Sequence, residues 1–437
     1  MRSKFDAVIV GAGPAGSSAA ILLARAGWSV ALVEKRRFPR RKVCGECIAA
    51  SNLLLLDALG IGSAFNSVAG PELRKVALMR GDQTIIADLP EFTHGKYRWG
   101  RALGRETLDT LLLERAHAAG VLVLQPCSVQ AIEGEVGNWQ CAVRAVASKA
   151  TLTLHTPVAI DAHGSWEQLP SSRPRLRVSP SVTDLFAFKA NFRDTSLDEG
   201  LLPILSFDGG YGGMVVADGG VTTIAGCIRS DRLCAYRRAW PGLHAGEVFE
   251  AMLKQQCKGV RTALQGSSRE GNWLAVGPLD PGIRLGVADY PFRIGNAAGE
   301  AHPIIGEGMS MALQSSWLLC AHLLGTDQPK SILSKEWQRE VGRGYAVEWR
   351  RQFEFRLRLA ATFAHLAMRP VFSVPLVALA KAWPGILTLG AKWGGKVRCA
   401  ADLALIDRLT PSVEMTKESG HVPFGDARHS GLALTPR

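Results

Sequence analysis

The sequence predicts an α/β fold in three parts: a unit of parallel strands and helices, a mixed-sheet unit interleaved with it, and a helical C-terminal region. Three observations predict this. A strand, a glycine turn, a helix and a second strand occupy the first 35 residues. A second glycine-rich passage from strand to helix begins near residue 292. Beyond residue 331 the chain mixes basic, aromatic and aliphatic residues and is interrupted by proline.

The 437 residues leave room for two or three domains, and 47% hydrophobic with 21% charged residues is ordinary for a globular protein with a sizeable core. Nine cysteines lie at irregular spacing, and no hydrophobic segment precedes the first motif. This argues for reduced thiols in a cytoplasm and against a disulfide framework. The longest apolar runs fall short of the roughly 20 residues that cross a bilayer. The net charge of +12 is concentrated in "EKRRFPRRK" at 34–42 and in 331–411, with about 13 basic and about 6 acidic residues. Neither stretch carries a nucleic-acid motif, so both are expected to face anions or a membrane, and nucleic acid is not an expected partner.

"FDAVIV" reads as a strand buried on both faces. "GAGPAG" supplies Gly11, Gly13 and Gly16, with Ala12, Pro14 and Ala15 between them, and "SSAAILLARAG" continues as a helix. "WSVALVEK" is a second strand ending in Glu34 and Lys35. In this order the parts form a Rossmann-like dinucleotide site: Gly11 for the tight turn, Gly13 for approach of a pyrophosphate, Gly16 for helix packing. The helix N-terminus faces the pyrophosphate and Glu34 the ribose hydroxyls. NAD and FAD remain open on this evidence.

"FRIGNAAGEAHPIIGEGMSMALQSSWLLCAHLL" decides between them. Together with the N-terminal motif it resembles the FAD-dependent family that shares the para-hydroxybenzoate hydroxylase fold, including aromatic hydroxylases, flavin halogenases and geranylgeranyl reductases. The resemblance spans residues 1 to about 325 in blocks. It implies an FAD-binding domain at 1–70, 100–174 and 276–330, and a substrate domain at 71–99 and 175–275. A helical region at 331–411 and a disordered tail at 412–437 complete the expectation. The late loop, with Asn296, Gly306 and Gly308, is implied to hold the ribityl chain and ring. "RALGRETLDTLLLERAHAAGV" resembles the family helix that makes Arg105 an FAD contact, and "LQPCSVQAIEG" places Val129 on the adenine side. Asn296 stands where the family carries aspartate, and His163 replaces another aspartate in "AIDAHGSW". A helix starting after Gly308 would aim its N–H groups at a reduced, negatively charged ring, so Glu307 is expected to point away.

"RRKVCGECIAA" admits a metal clasp, a redox dithiol or a loop against the cofactor. No second close pair of cysteines supports zinc, and the pair follows a basic loop rather than opening a helix. The stretch resembles the Lys-x-Cys-Gly segment of geranylgeranyl reductases, which places Cys44 beside the flavin. There it either packs as a small apolar residue or donates a proton, with Arg40, Arg41 and Lys42 favouring its thiolate.

Residues 71–99 and 175–275 read as strands and turns, with a helix around "GEVFEAMLKQQC". "GGYGGMVV" keeps the tyrosine, Tyr211, of the reductases' Gly-Tyr-x-Trp-x-x-Pro pattern but not its tryptophan or proline. The halogenases' Trp-x-Trp-x-Ile-Pro is missing, which argues against halogenation. The expected activity is an NAD(P)H-driven monooxygenase of an aromatic, polyketide or lipid-like molecule, with NAD(P)H a transient reductant. A double-bond reductase of prenyl lipids and a non-catalytic flavoprotein are the alternatives. Prolines 370, 375 and 384 are expected to break the C-terminal region, a helical cap or a surface touching a membrane.

Overall fold

The computed structural model describes residues 2–165, 181–285, 290–325 and 334–410. Five parallel strands form one sheet in the order Phe292–Arg293, Val158–Asp161, Ala7–Val10, Val30–Val33, Leu122–Leu124. Side chains alternate across it. Ala7, Ile9, Val30, Leu32, Val158 and Ile160 face the helices Pro14–Arg25, Arg105–Ala118 and Gly308–Leu324. Val8, Val10, Ala31, Val33 and Ala159 face a three-stranded antiparallel sheet of residues 127–156 around Trp139 and Val143. Both faces are covered, which is why the central strands are apolar throughout.

Two excursions from this sheet, after Val33 and after Asp161, carry the chain to the second large sheet. These excursions meet in a seven-stranded sheet ordered Ser268–Val276, Leu185–Arg193, Thr222–Arg229, Gly210–Val216, Leu201–Phe207, Lys75–Arg80, Gln83–Asp88. All its pairings are antiparallel except that of Leu201–Phe207 with Lys75–Arg80. One face packs Phe188, Phe192, Phe207 and Met214 against the helices Ala245–Gln256 and Lys258–Ala263. The other, bearing Ala187, Lys189, Ile204, Tyr211 and Ala225, turns toward the parallel sheet.

The C-terminal region packs on the core. Helix Lys335–Ala367 buries Val341, Tyr345, Trp349, Phe353, Leu357, Ala360 and Ala364, a stripe at steps of three and four. Much of it joins the central core with Trp317. Pro370 opens the helix Pro370–Ala382 and Pro384 caps Gly385–Trp393, as their fixed φ favours. Pro375 departs from expectation, since it lies inside its helix. Among the described residues no single helix is long and apolar enough to cross a membrane. The tail expected at 412–437 lies outside the described residues.

The two halves are joined at Glu46, which is buried and held at φ 58. Its Oε1 accepts from the Arg105 backbone N–H at 2.8 Å and from the Lys189 ammonium, and its Oε2 from Thr223 Oγ1 at 2.5 Å. Glu46→Gln leaves the Lys189 charge buried without its counter-ion, and removing one member of such a pair costs about 3–5 kcal/mol. Urea unfolding of the variant is expected to show a loss of that size; a change below about 1 kcal/mol, the range of exposed pairs, contradicts this account of the joint.

Candidate functional site

Between the C-terminal ends of the parallel strands and the seven-stranded sheet lies a cavity of about 1020 Å³. It is the crevice where open α/β sheets bind ligands. Twelve residues singled out from the sequence line it: Gly11, Gly13, Pro14, Ala15, Glu34, Lys35, Cys44, Arg105, Val129, Asn296, Gly306 and Gly308. Ala12 and Gly16 do not; they lie behind the wall. Ala12 is fully buried, and its N–H donates to Glu34 Oε2 at 2.9 Å, fixing the acid beside the glycine turn. A Cβ on Gly16 would lie 1.8 Å from the Gly11 carbonyl oxygen, so Gly16 is required by packing.

Gly13 is different. Its φ of −72° suits any residue, and a Cβ there would meet only Arg105 Nη2, at 3.7 Å. The protein itself makes no demand for glycine at this cavity-lining position, so close approach of a ligand to the backbone explains it. Gly308, with nothing within 4 Å of its Cβ position, opens the 17-residue helix Gly308–Leu324 in the same way.

Charge is graded along the cavity. At one end stand Arg40, Lys42 and Arg105. Burial works against the Arg105 charge, but its paired hydrogen bonds to Asp109, both 2.8 Å, outweigh that and keep it cationic. Burial, then the neighbouring Arg105 and Arg40, push the Lys42 ammonium down to about 8. Glu34 meets Arg40 Nη2 at 3.6 Å and accepts from the Arg36 N–H at 2.9 Å, which leaves lone pairs for further donors. At the other end Lys396 reaches in from the C-terminal region. Its Nζ lies 3.3 Å from both the Gly306 carbonyl and Glu307 Oε1, and 3.8 Å from Cys47 Sγ. Burial opposes that charge too, yet Cys47 and Glu307 raise its pKa. Glu307 is buried and absent from the cavity lining, turned away as expected.

Cys44 lines the cavity, and the Arg105 guanidinium interacts with its thiol. Cys47, on the short strand Cys47–Ile48, is buried, and both are free thiols. Asn296 Nδ2 donates to Ser165 Oγ at 2.7 Å. His163 hydrogen-bonds Asp161 through Nδ1, so the ring is oriented by the acid at the end of its own strand.

The facing wall, from the seven-stranded sheet, is apolar and includes stretches low in side-chain bulk: Ala187, Gly212, Gly213, Ala225 and Gly226, beside Ile204. Tyr211 is its polar exception. Its hydroxyl hydrogen-bonds His302 Nδ1 at 3.3 Å, and burial holds the phenol well above its ordinary pKa. Burial, then His365, push His302 down to about 4, so the imidazole is neutral. Glu46, Lys189, His302 and Lys396 escaped the sequence reading. His302 precedes Pro303 within the late motif and was within reach; the other three are joined only by tertiary contact.

Fold and cavity together define a dinucleotide-binding protein. Residues 4–200 match the family described as FAD binding domain. Over 356 residues the chain is 25% identical to a tryptophan 2-halogenase of Chondromyces crocatus, covering 77% of this chain and 63% of that protein. Over 63 residues it is 46% identical to a menaquinone reductase of Mycolicibacterium smegmatis, 14% and 15% of the two chains. Over 113 residues it is 34% identical to a 6-methylpretetramide 4-monooxygenase of Streptomyces rimosus, 26% and 27% of the two. The solved flavin-dependent halogenase CmlS superposes with a TM-score of 0.66 at 22% identity over 81% of this chain and 63% of that one. The chain thus spans less than two thirds of the first of these relatives. Residues 4–200 match an FAD binding domain, which gives FAD as the cofactor, and the whole has the fold of the solved flavin-dependent halogenase. Against the expectation drawn from the missing Trp-x-Trp-x-Ile-Pro, halogenation stays open, since a halogenase aligns with 77% of the chain.

Gly13→Ala tests the fit. The apo-protein is expected to keep its stability within about 0.5 kcal/mol, while bound FAD after purification falls to a small fraction of wild type; full occupancy would refute the assignment. Lys42 gives a pH signature. A bound pyrophosphate raises its pKa from about 8, so FAD binding takes up protons above that pH and affinity declines as pH rises through it. Calorimetry in buffers of different ionisation enthalpy should detect the uptake at pH 8.5 in wild type and lose it in Lys42→Met.

Proposed function

We propose that this chain is an FAD-dependent monooxygenase that hydroxylates an oxygen-bearing, mainly apolar small molecule, aromatic, polyketide-like or lipid-like, with NAD(P)H as electron source. FAD, when bound, supplies the activation of molecular oxygen. The chain supplies the rest. Gly11 to Gly16 and the following helix N-terminus receive the pyrophosphate, with Lys42 and Arg105 adding positive charge. Glu34 takes the ribose hydroxyls, Val129 flanks the adenine side, and Asn296 serves the ribityl chain. Gly306, Gly308 and Lys396 set positive potential toward the ring, which accumulates negative charge on reduction. The wide apolar wall excludes water and accepts the substrate.

Tyr211 carries the reading. It is a protonated phenol lining the cavity on a wall otherwise poor in hydrogen-bonding side chains, backed by a neutral imidazole. Neutral His302 can accept the Tyr211 hydrogen; the buried oxygen also faces the Ile304 backbone N–H, and its remaining lone pair is the one a substrate hydroxyl would meet. That favours a hydroxylated ring or enol over an isolated alkene. Contact with a membrane, from which such a molecule would come, belongs to the same reading. A double-bond reductase is the second reading, favoured by Cys44, whose thiol lines the cavity where it can deliver a proton.

The test is turnover of the FAD-loaded protein with NADPH on a panel of phenols, quinols and prenyl lipids, with and without oxygen and with and without bromide. Product carrying one oxygen atom from labelled dioxygen, formed only aerobically, is expected. A product with two added hydrogens under nitrogen supports the reductase instead, and a bromide-dependent product supports a halogenase. Tyr211→Phe should lower kcat/KM about tenfold, as loss of one hydrogen bond worth about 1.4 kcal/mol would do. An unchanged kcat/KM removes Tyr211 as the anchor.

A further inference from the structure

We infer that helix Pro370–Ala382, with the turn and helix that follow, docks this protein on an anionic lipid bilayer. The inference rests on the reading of an apolar substrate and names where that substrate is met. The helix is apolar on nearly every side: of its described side chains only Ser373 and Ala380 are buried, and its one charge is Lys381. Val371 is 77% exposed and Val374 58%, with Phe372, Leu379 and Trp383 also outside the core. A contiguous apolar face of this kind marks an interaction site.

Charge selects the partner. Between Glu354 and Asp402 the chain carries no carboxylate, while Arg358, Arg369, Lys381, Lys392 and Arg398 are exposed cations. Arg369 and Lys381 bracket the apolar helix, the exposed Trp383 caps its C-terminal end, and the exposed Trp393 ends the helix that follows. Apolar side chains that enter the acyl region, tryptophans at the interface and cations toward headgroups are the components of an element that lies on an anionic membrane. Spanning is excluded for this helix by length: 13 residues extend about 20 Å, against a hydrocarbon core of about 30 Å. The chain also bends by 102° between Lys335–Ala367 and Val371–Ala382, which turns the apolar helix away from the axis of the long one.

The docked element adjoins the substrate side of the cavity. Ala364 and Met368, at the end of the long helix, pack with Ala187, Tyr211 and Cys227, and the His365 ring meets that of His302 at 5.6 Å. A bilayer held against residues 369–383 therefore lies beside the wall that carries Tyr211, so the substrate it delivers is an amphiphile with a hydroxylated head and an apolar tail.

Flotation of the FAD-loaded full-length protein with vesicles tests this. Wild type is expected to float with vesicles of three parts phosphatidylcholine to one part phosphatidylglycerol, at least tenfold less with phosphatidylcholine alone, and less as salt rises. Val371→Asp combined with Val374→Asp changes two exposed positions and should abolish flotation while flavin content and turnover of a water-soluble substrate stay at wild-type level. Three outcomes overturn the inference: wild type that stays with the soluble fraction, a double variant that floats equally well, or a wild-type dimer that the double variant converts to monomer, which would assign the face to a second copy. Failure of flotation with oxygen-dependent turnover intact leaves the proposed reaction standing. Loss of turnover on every substrate with flotation intact does the reverse.

Discussion

The Glu46 carboxylate is the constraint on which the site depends. A buried carboxylate is costly unless its oxygens are well paired. Here they accept from three partners far apart in sequence: the start of helix Arg105–Ala118, the central strand residue Lys189 and the adjacent strand residue Thr223. Asp218 does a related job beside it, accepting from the Gly104 N–H and the Thr107 hydroxyl at 2.7 Å each. Two carboxylates brought in from other parts of the chain thus satisfy donors at one helix N-terminus, where negative charge is favoured. The helix that carries Arg105 is pinned to the seven-stranded sheet by those bonds, and the cavity between the two sheets acquires a fixed width.

Within that width the chain separates electrostatics from shape. Cations and helix N-termini lie on the parallel-sheet side and at the two ends, while the seven-stranded sheet contributes glycine, alanine and aliphatic surface. A dinucleotide needs the first, since its phosphates and reduced ring are anionic, and an organic substrate needs the second. Glu307 shows how closely this is enforced. It sits at the start of the helix aimed along the cavity, where a carboxylate facing inward would cancel the helix potential, and it is instead turned into the protein beside Lys396 and Arg356.

The cofactor half was legible because its elements are local. Strand, glycine turn, helix and acid follow one another within 35 residues, and the chemistry of each is set by its neighbours. The late loop was legible because its glycines answer the same demand for backbone approach. The joint at Glu46 was not, because Lys189 and Thr223 are ordinary strand residues until the sheet brings them to the loop of Cys44. The sequence drew attention to the two cysteines, whereas the glutamate between them holds the structure. The long helix Lys335–Ala367 was left between a cap on the core and a membrane-facing surface for a related reason. Its basic residues dominate the composition, but its apolar stripe at steps of three and four has a period that belongs to a core helix.

That helix changes what the C-terminal region means. The family resemblance alone would leave the cavity to the first 325 residues. Instead Lys396, beyond the last turn of helix Gly385–Trp393, reaches the Gly306 carbonyl, and the neighbouring Gly395, at φ 106, leaves a Cβ position 2.9 Å from Arg356 and 3.1 Å from Glu307. The segment 394–398 is thereby seated over the start of the cavity-facing helix. Residues 369–383, which lie between the core helix and this segment, are held at both ends by groups that line or back the cavity. A surface that binds apolar matter through those residues cannot move independently of the wall bearing Tyr211. On the proposed reading, access of substrate and the electrostatic environment of the cofactor are properties of one continuous stretch of chain.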